Sequence, residues 1–362
     1  MSTIATVRAR SIALGLAIGL VVGLSLVAPA RAGASVRHKA DSTTVRFGYF
    51  DNVTHAPALV GLEEGFFEDA LGSQDALETS IFKAGPEAVT ALLSDSLDVT
   101  YIGPNPTVSA FEQSDGAVQV VSGAASGGAY LVVKPGIKSA KDLKGKTIAS
   151  PQLGNTQDVA LRSYLKSKGL KTDTAGGGDV AILPQDNAIT LQAFEDDQIQ
   201  GAWVPEPWAT RIVNEGGGKI LVDERDLWPG GKYVTTDLLV RTEFLDEHPD
   251  RVQQILEGHV KAVDFINDSK TRHQAEDDVA KRIESDTAKP IAPELVTASF
   301  DNIVFTNDPI ASSLVKSAKQ AAALGLPGAV ALTKADVKAL YNLELLNRVL
   351  KHDKQPTIKA SA

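Results

Sequence analysis

At 362 residues, with 43% hydrophobic and 22% charged side chains, the chain is long enough for two domains, or for two lobes of one. It has no cysteine, which excludes a disulfide framework, thiolate-bound zinc, iron–sulfur clusters and a thiol nucleophile. A net charge of −9 offers no broad basic surface for nucleic acid, and the six histidines lack ligand spacing such as H-E-x-x-H.

Residues 1–32 read as an export signal. Arg8 and Arg10 precede an apolar run over residues 12–27, and Ala30-Arg31-Ala32 supplies a small-residue cleavage site. The run is shorter than the ~20 residues a spanning helix needs. The segment carries three arginines and no acid, so the mature chain is more acidic still. There is no twin arginine and no cysteine to take a lipid, which points to general secretion of an untethered protein, without a membrane span in the mature chain.

From residue 45 the chain alternates strands and helices. Val45-Arg46-Phe47-Gly48-Tyr49-Phe50 has strand composition, and residues 54–67 have helical spacing with Thr54 as cap. A strand over 79–82, a helix from Pro86 and a strand over 97–102 follow, the last ended by a turn at Gly103-Pro104-Asn105-Pro106. The order then recurs: strand 147–149, helix 156–170, strand 180–183, helix 188–194, and strand 199–204 broken at Pro205-Glu206-Pro207. The offset that puts Tyr101 on Trp203 also puts Thr54 on Thr156 and Leu59 on Leu161. This is repeated architecture, with too few identities to establish a duplication. Such alternation implies parallel strands with right-handed crossovers, hence two α/β lobes.

Further apolar strands at Tyr130-Leu131-Val132-Val133 and Leu238-Leu239-Val240 bound the second pass. If each carries the chain between lobes, one lobe is 45–128 plus 236–350 and the other is 129–235. The C-terminal part reads as helical, with one helix from Pro249 and another over 335–350. Residues 351–362 read as a polar, frayed tail.

In open α/β sheets ligands bind beyond the carboxyl ends of the strands. Those ends are Asp51-Asn52, Gly103-Pro104-Asn105, Gln152 to Thr156 and Pro205-Glu206-Pro207. Helix starts at Thr54 and Thr156 would aim free N–H groups and a positive dipole end into a shared cleft, which suits an anion.

Phe47-Gly48-Tyr49, Gly103-Pro104-Asn105-Pro106, Leu143-Lys144-Gly145-Lys146, Gly154-Asn155-Thr156 and Trp203-Val204-Pro205-Glu206-Pro207-Trp208 occur in this order. Together they resemble extracytoplasmic solute-binding proteins of ABC importers, of the nitrate/sulfonate/taurine (aliphatic sulfonate) type, over residues 45–260. The resemblance implies a type II periplasmic-binding-protein (Venus flytrap) α/β fold, with two lobes joined by two hinge strands. It also implies a small anionic or zwitterionic ligand held without chemistry, no catalytic residue, no cofactor, a monomer, and a cognate permease and ATPase as partners.

Each candidate site residue has a structural reading beside the functional one. Asn105 either fills a turn or contacts ligand. Asn155, Thr156 and Gln157 cap a helix and can also bind an anion. His55 either packs at a helix start or reaches the ligand. Ser126, Gly127 and Gly128 are either linker or a close backbone approach. Trp203 reads as core, Trp208 as cleft wall, and Thr235-Thr236 can reach the cleft. Glu206 either pairs with a surface base or receives a donor from the ligand. In the second case it disfavours bare nitrate and favours a ligand bearing an amine or hydroxyl.

Two other classes remain open. The fold also resembles a pyrimidine synthase of thiamine biosynthesis, but that family carries a cysteine-rich motif that is absent here. A sensory ligand-binding domain would need a fused DNA-binding or membrane helix, and nothing in the flanks reads as one.

Overall fold

The computed structural model describes residues 43–73 and 75–361. The export signal read over residues 1–32 lies outside them. Eleven strands are described: β1 (Thr44–Phe50), β2 (Ala76–Phe82), β3 (Val99–Ile102), β4 (Val118–Gly127), β5 (Ala129–Val133), β6 (Thr147–Ser150), β7 (Ala181–Pro184), β8 (Gly201–Pro205), β9 (Lys219–Asp223), β10 (Val234–Arg241) and β11 (Ile303–Phe305). They form a six-stranded sheet in the order β11-β4-β10-β3-β1-β2 and a five-stranded sheet in the order β7-β6-β8-β5-β9.

The two sheets repeat one plan. In the first, β1 lies parallel between β2 and β3, and β10 runs antiparallel beside β3. In the second, β6 lies parallel between β7 and β8, and β5 runs antiparallel beside β8. The central strands are buried on both faces. Leu238 and Val240 join one core with Phe47 and Tyr101, while Leu239 faces the other with Ile102 and Val120. In the five-stranded sheet Tyr130 and Val132 face one cluster, and Leu131 and Val133 the other. This period-2 division explains the unbroken apolar runs in the sequence, because helices cover both faces.

The chain passes between the sheets twice, at Gly127 and Gly128 and through residues 224–233. The strands expected to make these passages, β5 and β10, are inner members of their own sheets; the passages lie at their ends. At Gly128 φ is +73°, and a Cβ there would lie 2.5 Å from Ile303 Cγ1, so this passage requires glycine.

Several boundaries differ from the sequence reading for physical reasons. The helix read over 54–67 is a 3₁₀ turn (Val53–His55) followed by helices Ala56–Glu63 and Phe66–Leu71, broken at Gly65 with φ +70°. Thr54 sits inside the 3₁₀ turn and does not cap. Gly103-Pro104-Asn105-Pro106 does end β3, but it is also the start of helix Pro104–Gln113. Proline is at home in a first turn, where no N–H is needed. The helix read over 335–350 is two, Lys334–Leu340 and Glu344–His352, separated where Asn342 N donates to Val120 O. The tail is tied down, not frayed: Asn347 and Ile358 exchange two hydrogen bonds, and Gln355 donates to Asp264.

Candidate functional site

Helix Thr156–Ser167 begins at the end of β6, and Asn155 Oδ1 accepts from Thr156 N at 2.7 Å. A buried Asp158 in its first turn accepts from Ser150 and Gly154 and pairs with buried Arg162 at 2.9 Å. The acid that would oppose an anion at this helix start is thus neutralised from within. Opposite lies Gly103, which has no side chain to obstruct the approach; a Cβ there would sit 2.4 Å from Thr156 Oγ1.

Between them lies a small cavity of about 20 Å³, walled from the first sheet by Asn52, His55, Lys83, Gly103 and Thr235. From the second sheet it is walled by Asn155, Thr156, Gln157 and Asn187. Thr156 Oγ1 and Asn187 Oδ1 are buried here without a partner among the described residues. Burial pushes the His55 imidazole down to about 3, so the ring is neutral. Its Nδ1 accepts from Phe50 N at 3.3 Å, which leaves Nε2–H as the donor it can offer. Lys83 brings positive charge, shared with Asp51 at 3.1 Å.

A second, larger cavity of about 290 Å³ adjoins it through Asn52, Lys83 and Asn187, which line both. Trp208 forms part of its wall, and the indole Nε1–H donates to Asn52 Oδ1 at 2.9 Å across the cleft.

Of the residues singled out from sequence, His55, Asn155, Thr156 and Gln157 converge on the small cavity and Trp208 on the large one. The others do not. Asn105, turned by its helix, accepts from Ser317 Oγ at 2.7 Å and lines a separate hollow. Ser126 and Gly127 receive bonds from Tyr233 N and Thr235 Oγ1 at the chain passage. Thr236 is fully buried; strand alternation sends Thr235 to the cavity and Thr236 to the opposite face.

Glu206 is the main correction. Its buried carboxylate accepts from Thr210 N and Oγ1, Asn302 Nδ2 and Ser299 Oγ, at 2.7–3.4 Å. Neither a surface base nor the cavity is its partner, so its charge gives no ground for an amine-bearing ligand. Lys83 and Asn187 escaped the sequence reading, and Asn52, named there as part of a strand end, was not carried among the candidate residues. Asn52 and Lys83 had a usable signal, since both stand just past a strand's carboxyl end. Among the described residues no group of three or more His, Asp or Glu is arranged to hold a metal ion.

Residues 38–284 match the model of the NMT1-like family. The chain belongs to that family. It is 31% identical over 229 residues to a binding protein of Brucella abortus (strain 2308), covering 62% of this chain and 68% of that one. It is 27% identical to the taurine-binding periplasmic protein of Escherichia coli K12, over 63% of this chain and 68% of that one. Its fold matches the periplasmic nitrate-binding protein NrtA of Synechocystis PCC 6803, with a TM-score of 0.71 at 15% identity and coverage of 87% and 91%. The alkanesulfonate-binding protein SsuA of Xanthomonas axonopodis pv. citri gives 0.64 at 19% identity, with coverage of 86% and 98%. The fold is that of the periplasmic binding proteins, and the chain is a solute-binding protein, not an enzyme. No helix among the described residues is long and apolar enough to cross a membrane.

Proposed function

We propose that this protein captures an organic oxyanion between its two lobes outside the cytoplasm and delivers it to an ABC importer's permease and ATPase. The observation that carries the reading is the small cavity. There a helix start, an unpartnered Thr156 hydroxyl, a neutral His55 donor and Lys83 converge from both sheets. Free N–H groups and the helix dipole favour negative charge at such a place. The sulfonate, taurine and nitrate specificities of the relatives support an oxyanion. We assign residues 45–128 plus 236–350 to one lobe and 129–235 to the other. Residues 1–32 are assigned as the export signal, and the mature protein is assigned as a monomer.

Thermal unfolding with nitrate, sulfate, taurine, methanesulfonate and benzoate tests the reading. A true ligand at ~100 times its Kd adds about 2.7 kcal/mol of stability and raises Tm. Small-angle scattering with that ligand should show a smaller radius of gyration, because contacts from both lobes are completed only on closure. If no oxyanion raises Tm, the reading fails.

A further inference from the structure

The two adjoining cavities divide the work of binding by size. The inner one, about 20 Å³, is the size of a single water-scale group; ~10–15 Å³ already admits a water. It can seat an oxyanion's leading oxygens but not an organic body. The outer one, about 290 Å³, is far larger; a cavity of ~150 Å³ already accommodates benzene.

The outer walls offer more apolar surface than the inner ones, set among polar residues that include Asp186, Thr287 and Lys289. Ile189 and Trp208 come from the five-stranded lobe, and Ile283, Pro290 and Ile291 face them from the other. Ile189 is 56% exposed, a large apolar side chain left on the rim of a cleft. Its exposure leaves unmet the burial that an apolar ligand surface would provide. Of the charges lining the chamber, Lys83 is paired with Asp51, Arg211 with Glu215 and Asp286 with Arg282, while Asp186 and Lys289 have no ion-pair partner among the described residues. Lys289 leaves one exposed cation at the rim, and within the chamber a hydrocarbon face finds a wall on both sides. Asn187 stands at the seam, over nine-tenths buried, with Oδ1 unpartnered and lining both chambers.

We infer that the ligand is a two-part molecule. Its compact oxyanion head enters the inner cavity, and an apolar body of one or two rings packs on Trp208 between Ile189 and Ile291. Asn187 meets the joint between the two parts. The inference rests on the oxyanion reading above and narrows it to aryl or comparably bulky acids, away from nitrate and taurine.

Isothermal titration of the purified protein with a single-headgroup series tests it: methanesulfonate, taurine, benzenesulfonate and naphthalenesulfonate. Benzenesulfonate should bind at least ~10-fold more tightly than methanesulfonate, with a further gain for the naphthalene ring. Trp208→Ala should bring that ratio towards one, Trp208→Phe should keep most of it, and Ile291→Asn should lower it from the opposite wall. Should Trp208→Ala fail to fold, the other two variants decide. If methanesulfonate binds as tightly as the aryl sulfonates, the two-part inference is overturned and the oxyanion reading stands. An aryl gain that neither wall's variants reduce overturns the placement. If no sulfonate binds to folded protein, this inference is overturned, and the oxyanion reading falls with it only if nitrate, sulfate and benzoate also leave Tm unchanged.

Discussion

The lobes meet at Glu206 and at the small cavity, and the two meeting places treat polar groups in opposite ways. At Glu206, which follows β8, four donor groups are directed at one buried carboxylate, two of them from the helix that precedes β11. The same residue's backbone accepts from Val53 N and donates to Gly128 O. Nothing is left for a ligand. In the cavity, Thr156 Oγ1 and Asn187 Oδ1 are also buried and have no partner among the described residues. Burying a polar atom without a partner costs ~1–3 kcal/mol. Other buried polar atoms, Asp237 Oδ1 and Oδ2 and Thr190 Oγ1 among them, are also unpartnered among the described residues, so what sets these two apart is that they line the cavity between the lobes.

The largest expected effect comes from breaking the satisfied junction. Glu206→Ala leaves the part-buried Asn302 Nδ2 and Thr210 N and Oγ1 donors without their charged acceptor, while Ser299 keeps Leu295 O, and should lower unfolding free energy by about 3–5 kcal/mol. Urea unfolding followed by circular dichroism measures it. Because the carboxylate faces protein and not the cavity, the ranking of amine-bearing and amine-free ligands should not change. A selective loss of the amine-bearing ligands would return Glu206 to the binding site.

A second experiment sharpens what full satisfaction is worth. Glu224 is also buried, but it accepts only from Trp203 Nε1 and Trp228 Nε1, at 2.8 and 3.3 Å. Burial pushes its carboxyl up to about 7. In the unfolded chain it returns to ~4.3, so the folded state holds the proton more tightly. Its contribution is therefore complete below ~pH 4.3 and is lost as pH rises through about 7, an effect of about 4 kcal/mol. Glu206 and Asp237 are raised in the same direction by burial and slope the same way. The wild-type curve minus that of Glu224→Gln isolates the one residue. The difference should fall between about pH 4.3 and pH 7 and level off above; a flat difference would mean that the two tryptophans suffice to keep Glu224 ionised.

The repeated sheet plan was legible in the sequence because buried strands announce themselves as apolar runs and helices as periodic stripes. The Asn155–Thr156–Gln157 helix start was legible for the same local reason. Glu206 was not, since its partners Ser299 and Asn302 lie more than 90 residues along the chain. Asn105 was misplaced by a local error: reading Pro104 and Pro106 as a turn hid the helix that rotates Asn105 onto Ser317. Asn187 was passed over because its role depends on two cavities meeting there, which no spacing records.

The smallest effect separates the two junctions most sharply. Thr156→Val keeps the side chain's shape and removes the bare hydroxyl. Thr156 is the first residue of its helix, where Asn155 Oδ1 already serves its backbone N–H, so the cap survives. Without a buried, unpartnered oxygen the folded protein should gain about 1 kcal/mol. A ligand that used the hydroxyl would lose one hydrogen bond, and its Kd should rise by roughly 3- to 10-fold. Stability rising while affinity falls is the signature of a group held in reserve for a ligand. Glu206→Ala, by contrast, should cost stability far out of proportion to any change in ligand ranking. Thermal unfolding and calorimetric titration on the same preparation read both quantities. If Thr156→Val lowers stability and leaves affinity unchanged, the hydroxyl serves the fold, and the contrast between the two junctions collapses.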